Sequence, residues 1–134
     1  MAQYLFVYGS LRKNRAGRIH PFLANRTRFI GNASIPGKLY RVRNYPGAVP
    51  DAIDSRNRVS GEVYQLLQPE KLLPILDDYE ECTPRFPPPH EYQRMLNTVT
   101  LADNRELNCW VYLYRKPTIR LQRIESGDYF DYLA

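Results

Sequence analysis

Apolar positions along this chain follow two rhythms, and the switch between them separates strands from helix. Residues 3–8 (QYLFVY) carry an unbroken apolar run from Tyr4 to Tyr8. Because nothing alternates, the run predicts a short strand covered on both faces. It stops at Gly9-Ser10, where a run of cations begins with Arg12 and Lys13. In ELNCWVYLY (106–114), Leu107, Cys109, Val111 and Leu113 fall on one face and Trp110, Tyr112 and Tyr114 on the other. A strand with two apolar or aromatic faces is expected between two layers. VSGEVYQLL (59–67) and YQRMLNTVTL (92–101) read as further strands, and TRFIGNASIPGKLYRV (27–42) as two short β segments punctuated at Pro36-Gly37.

The rhythm changes in PEKLLPILDDYE (69–80), where Leu72, Ile75, Leu76 and Tyr79 fall at i, i+3, i+4 and i+7. That spacing predicts the main helix. Pro74 predicts a late start, since proline costs no hydrogen bond only within the first turn. RIHPFLAN (18–25) suits a turn or short helix, Tyr45-Pro46-Gly47 and the polar run 54–58 suit turns, and the proline-rich stretch 83–91 suits an irregular loop. This order of elements is not a regular βαβ alternation. It predicts an α+β fold, with a compact, mostly antiparallel, barrel-like sheet and a few packed helices. At 134 residues the simplest organisation is one domain spanning 1–134.

Composition adds two things. Eleven prolines and eleven tyrosines favour a loop-rich β-containing domain over a helical bundle. Charge is divided unevenly: residues 1–50 hold nine Lys/Arg and no acid, residues 51–134 ten Lys/Arg and fourteen Asp/Glu, so the halves carry +9 and −4. Three readings fit: two halves that pack against each other with a solvated cationic surface, a nucleic-acid partner, or attraction of a small anionic substrate. The absence of interleaved aromatic and basic residues argues against nucleic acid. No apolar run has membrane-spanning length and no signal pattern leads the chain, so neither a membrane nor an export signal is expected. Cys82 and Cys109 stand apart and outside any CxxC pattern, which predicts neither a disulfide framework nor a zinc site and fits a cytoplasmic protein.

Two stretches carry candidate chemistry. The predicted helix ends in Asp77, Asp78, Glu80 and Glu81. At 100° per residue, Glu80 lies roughly 90° from the centre of the apolar face, Asp78 about 110°, Asp77 about 150° and Glu81 about 170°. Glu80 is therefore favoured, by a narrow margin, at the core boundary, where desolvation raises a carboxyl pKa toward working pH. The other stretch is VYGSLR (7–12), which matches neither a phosphate loop nor a nucleophile elbow. Ser10 has no identifiable base, and His20 and His90 have no partner spacing. A turn of this kind presents successive backbone N–H groups as an anion site, or simply ends a strand; local sequence leaves both open. Gly9 suits close approach of a ligand to the backbone.

Taken in order, VYGSLR, PGKLY, YPGAV, VSGEVYQL, LDDYE, EYQR, WVYLYR and IESGDY resemble the gamma-glutamylcyclotransferase-like superfamily. Within it, the small AIG-type group that includes gamma-glutamylamine cyclotransferases is the most similar. The resemblance implies a barrel-like α+β fold and an enzyme that releases 5-oxoproline from a small γ-glutamyl compound without metal or cofactor. It assigns substrate binding through main-chain amides to Tyr8, Gly9, Ser10 and Leu11. It places the catalytic glutamate, which follows the aromatic residue of L-D-D-[FY]-E, on Glu80. Tyr114 is expected to touch substrate, with Tyr92 and Tyr112 also at the pocket wall. The connection CTPRFPPPHE (82–91) is longer than the family pattern and is expected to reshape the pocket rim. A non-catalytic module that binds a small molecule or peptide end in the same pocket is the alternative.

Overall fold

A 15-residue strand organises the chain. The computed structural model describes residues 2–52 and 56–133. Its elements in chain order are β1 (Gln3–Val7), β2 (Thr27–Arg41), β3 (Pro46–Pro50), β4 (Arg58–Leu66), α1 (Pro69–Tyr79), β5 (Tyr92–Leu101), β6 (Glu106–Tyr114), β7 (Gln122–Ile124) and α2 (Tyr129–Leu133). The strands β2, β4, β1, β6 and β5 pair in that order. Ala33↔Leu101 and Ser34↔Thr100 join β5 back to β2, closing a five-stranded barrel. All its pairings are antiparallel except β1 with β6. The second half of β2 leaves the barrel wall and pairs with β3 and β7. The α+β, mostly antiparallel, barrel-like fold expected from the sequence is the fold observed.

Two apolar clusters account for the strands that show no simple alternation. Phe6 and Tyr8 of the β1 segment, Val59 and Val63 of β4, and Cys109, Val111 and Leu113 of β6 fill one cluster. Leu5 and Val7, Tyr64 and Leu66, and Tyr112 and Tyr114 from the same strands join a second, completed by Leu72, Leu73 and Leu76 of α1. The period-2 geometry sends alternate side chains to opposite faces, and here both faces are covered. Gly61 is the position where this layering is tightest. A Cβ there would run into the Val7 carbonyl and approach the Phe6 ring to 2.6 Å.

Three expectations need correction. β2 is one strand, not two: Pro36 is its last partner to β4 and Gly37 its first to β3, so the Pro-Gly pair marks an exchange of partners. The strand bends instead at an irregularity between Phe29 and Gly31. The helix starts at Pro69 with Pro74 inside it. Pro74 and Glu70 are both exposed, so the Glu70 carbonyl that loses its intrahelical donor can bond to water. Pro46-Gly47 opens β3, and the turn lies just before it, closed by Val42 N–H to the Tyr45 carbonyl at 3.0 Å. In the polar run 54–58, residues 54–55 lie outside the described residues and Arg58 begins β4. β7 and α2, of three and five residues, are too short to show a period. Both cysteines are free, and among the described residues no helix is long and apolar enough to cross a membrane.

The tight approach at Gly61 generates a stability test. Gly61→Ala is expected to lower unfolding stability by about 2–3 kcal/mol, because the methyl group meets backbone that is fixed by the β1–β4 ladder. Urea denaturation checks this; an unchanged midpoint would show that the two strands are free to move apart.

Candidate active site

A cavity of about 500 Å³ opens where β1 ends, and its walls include Tyr8, Gly9, Ser10, Leu11 and Glu80. The segment after β1 is held at several points. The buried Tyr8 hydroxyl donates to the Tyr112 carbonyl at 2.6 Å and accepts the Ala48 N–H at 3.1 Å. Burial, with the negative charge of Glu80 adding to it, pushes the Tyr8 phenol well above its ordinary value, so it stays neutral. Gly9 lies under Pro46, and a Cβ at that position would fall 2.9 Å from the proline ring. Glycine is needed here to admit β3. Among the described residues the amide N–H groups of Gly9, Ser10 and Leu11 donate to no protein acceptor, whereas Arg12 N–H closes the turn onto the Gly9 carbonyl at 3.1 Å. Unpaired amides are uncommon away from water, and these three belong to successive residues that line the cavity.

The cations beyond the turn fasten it to the acidic half of the chain. Glu62, only 4% exposed, accepts Lys13 N–H at 2.9 Å, the Tyr64 hydroxyl at 2.8 Å and Arg12 Nε at 3.4 Å. Arg12 Nη1 also donates to Asp128 at 2.9 Å, and its guanidinium lies 4.0 Å over the Phe130 ring. Buried charges persist only when paired in this way. Arg12 is the one cation of residues 1–50 that forms an ion pair among the described residues, so the remaining positive charge of that half is not cancelled by direct contact.

The four acids at the end of α1 divide sharply. Asp77 receives Arg94 through Nε at 2.7 Å and Nη2 at 3.1 Å, and the Tyr112 hydroxyl at 2.7 Å. Arg94 in turn stacks 4.3 Å over Trp110. Asp78 binds the loop that follows, accepting Thr83 Oγ1 at 3.3 Å and Arg85 Nη1 at 3.0 Å. Glu81 is exposed and takes φ +57°. With Glu81 N–H on the Asp78 carbonyl at 3.1 Å and Cys82 N–H on the Asp77 carbonyl at 3.0 Å, it completes the bonding pattern of a Schellman helix end. Glu80 sits between these anchors as the C-cap. Among the described residues its carboxyl has no hydrogen-bond or ion-pair partner. Burial first, and the neighbouring Glu81 charge second, raise its pKa from 4.5 to about 7. Such a group exchanges a proton near neutral pH.

Ser10 faces this helix end, its Oγ 3.1 Å from the Tyr79 hydroxyl. Tyr79 packs edge-on against Phe22 at 5.1 Å. Tyr92 and Tyr112 line the cavity, but Tyr114 does not: it lies behind Tyr92, ring centroids 5.7 Å apart, and is buried. It packs over Gly47, where a Cβ would fall 2.9 Å from its side chain, and so backs the wall rather than lining it. The proline-rich loop contributes Phe86, Pro87, Pro89 and His90 to the cavity wall, and Arg43 and Tyr45 line it as well. Arg43 carried no periodic or motif signal in the sequence, whereas Tyr45 opens the YPGAV stretch; the turn before β3 brings both to the site. Among the described residues no group of three or more His, Cys, Asp or Glu could hold a metal ion.

The sequence profile of the family described as "Gamma-glutamyl cyclotransferase, AIG2-like" matches residues 5–131. The YtfP protein of Escherichia coli K12, named for the gamma-glutamylcyclotransferase family, is 34% identical over 128 residues, covering 95% of this chain and 96% of its own. The solution structure of YtfP from Escherichia coli superposes with a TM-score of 0.65 at 32% identity, covering 98% of this chain and 100% of that one. The crystal structure of an AIG2-like protein from Mus musculus gives a TM-score of 0.69 at 25% identity, covering 92% and 86%. The chain belongs to the gamma-glutamylcyclotransferase family.

The raised Glu80 pKa has a consequence for folding. The folded chain holds this proton up to about pH 7, whereas an unfolded glutamate releases it near 4.5, so this group's effect on stability becomes less favourable as pH rises between those values. Glu80→Gln removes the effect. The variant is expected to be more stable than the parent at pH 8, by roughly 1–3 kcal/mol, and equal to it at pH 4. Chemical denaturation at the two pH values checks this, and a difference independent of pH would contradict it.

Proposed function

We propose that this protein is a cyclotransferase that releases 5-oxoproline and a free amine from a γ-glutamyl compound, with Glu80 as general acid and base. The observation that supports this most is the unpaired, partly buried Glu80 carboxyl in the same cavity as the Gly9–Leu11 amides. A γ-glutamyl unit carries an ammonium to be deprotonated and a carboxylate to be held, and these two features answer each in turn.

The reaction needs no external nucleophile. Once the α-ammonium has lost a proton, its nitrogen attacks the γ-carbonyl carbon of the same unit. A C–N bond forms, the γ-amide C–N bond breaks, and the proton released by the attacking nitrogen passes through Glu80 to the departing one. Because attack is intramolecular, the site's main task is to fold the glutamyl chain into a ring-closing pose. Orientation of this kind supplies on the order of 7–11 kcal/mol of barrier reduction. The Gly9, Ser10 and Leu11 amides are the donors available to the α-carboxylate and to the oxyanion of the tetrahedral intermediate. Tyr8 is locked by its two hydrogen bonds and serves as wall, not as acid.

Incubation with a panel of γ-glutamyl amines and dipeptides, with 5-oxoproline as the readout, tests this function. Glu80→Gln is expected to fold and to lose roughly 10²–10⁴ in rate. Binding without product in the parent protein would support a non-catalytic module instead. The acid limb of the kcat/KM profile is expected near pH 7, and Glu81→Gln, which removes the neighbouring like charge, is expected to move it to lower pH. A limb that stays in place would separate Glu80 from the titration.

A further inference from the structure

The cavity is larger than a γ-glutamyl unit requires. At the roughly 30 Å³ a water occupies in the liquid, about ten non-hydrogen atoms fill at most about 300 Å³, against a cavity of about 500 Å³. That leaves room for the departing amine within the same cavity. Arg43 lines it as the sole Arg or Lys of the cavity wall. Among the described residues the Arg43 guanidinium has neither an ion-pair nor a hydrogen-bond partner. It is exposed at the cavity mouth, and its charge acts on the Tyr45 hydroxyl nearby.

Among the described residues none of the acids that share the cavity forms an ion pair with Arg43. Glu91 is engaged by the Tyr45 hydroxyl, which donates to Oε1 at 2.6 Å. Glu81 belongs to the helix end beside Glu80, where a substrate ammonium would lie. The same cavity wall carries apolar Phe86, Pro87 and Pro89. This wall is held in shape: His90 Nε2 lies 3.0 Å from the Phe86 carbonyl, and Asp78 holds Thr83 and Arg85 at the loop's start. An unpaired guanidinium that shares a cavity with fixed apolar groups is suited to a moiety that carries both a carboxylate and an apolar group.

We infer that the rim is a subsite for the departing amine, selecting amines that carry a carboxylate and a bulky apolar side chain, with Arg43 as the specificity-determining residue. This rests on the cyclotransferase function proposed above. It assigns the two ends of the cavity opposite tasks: the substrate's ammonium meets the glutamates at the end of α1, and its far carboxylate meets Arg43. γ-Glutamyl amides whose amine part lacks a carboxylate, or carries a second ammonium instead, are poor substrates here.

Three substrates with one glutamyl unit test the assignment: γ-glutamyl-phenylalanine, the γ-glutamyl amide of phenethylamine, which lacks only the carboxylate, and the γ-glutamyl amide of 1,5-diaminopentane. The phenylalanine compound is expected to exceed the phenethylamide in kcat/KM by about tenfold, as a charge-assisted contact at a solvent-facing site provides, and to exceed the diamine by more. In Arg43→Gln the ratio of the first two is expected to fall to near one, whereas Arg43→Lys retains part of it. A purely structural role for Arg43 would lower all three together and leave the ratio intact. Equal efficiencies in the parent, or a ratio unmoved by Arg43→Gln, would overturn the subsite while leaving the cyclotransferase function standing. No 5-oxoproline from any of the three, with the Glu80 carboxyl intact, would overturn both.

Discussion

A carboxyl group without a partner is the constraint around which this molecule is arranged. Its neighbours show how unusual that is. Glu62 is more completely buried, yet it accepts three donors from Lys13, Tyr64 and Arg12. Asp77 has Arg94 and Tyr112, and Asp78 has Thr83 and Arg85. Glu80 alone among these acids is left to the cavity. An unpaired carboxylate in a partly dry site is unfavourable, and the protein answers by keeping it protonated to about pH 7. Asp77 and Asp78, the paired acids just before it, fix the helix end and the following loop from which Glu80 projects.

The same reasoning explains why short pieces far apart in the chain belong together. The Tyr8–Leu11 turn is one contact layer away from residues 60 and 128. Glu62 comes from VSGEVY and receives Lys13 and Arg12; Asp128 comes from IESGDY and receives Arg12 again. Gly61 lets β4 close on the end of β1, and Gly9 admits Pro46 from YPGAV. The closed barrel converts these separations in sequence into one rigid frame around the turn. The turn's amides are left free because the frame, rather than their own hydrogen bonds, holds the backbone in place.

Much of this was legible in the sequence where it depended on local period. Alternation in 106–114 assigned the two faces of β6 correctly, and the helical arithmetic put Glu80 nearest the core border. The same arithmetic sent Asp77 about 150° from the apolar face, yet Asp77 is tied down by Arg94 and Tyr112. A helix considered alone does not reveal that β5 and β6 bring a guanidinium and a phenol to its flank. Pro36-Gly37 read as a break for a similar reason: the loss of a donor is local, but the exchange from β4 to β3 that tolerates it is not. Tyr114 was expected at the pocket and stands behind Tyr92, because the alternation of β6 fixes which face a residue is on but not which partner strand covers it. Arg43 and the Phe86–Pro89 rim come from irregular segments, where no period exists to be read.

The direct measurement is the titration of the Glu80 carboxyl itself. In protein labelled with ¹³C at the glutamate side-chain carboxyls, the signal lost in Glu80→Gln is followed by NMR from acid to alkaline pH. A midpoint near 7, well separated from the exposed glutamates, is what a desolvated and unpartnered carboxyl requires. A midpoint near 4.5 would mean that water or a counter-charge reaches Glu80 freely, and the proton-transfer role assigned to it would fall.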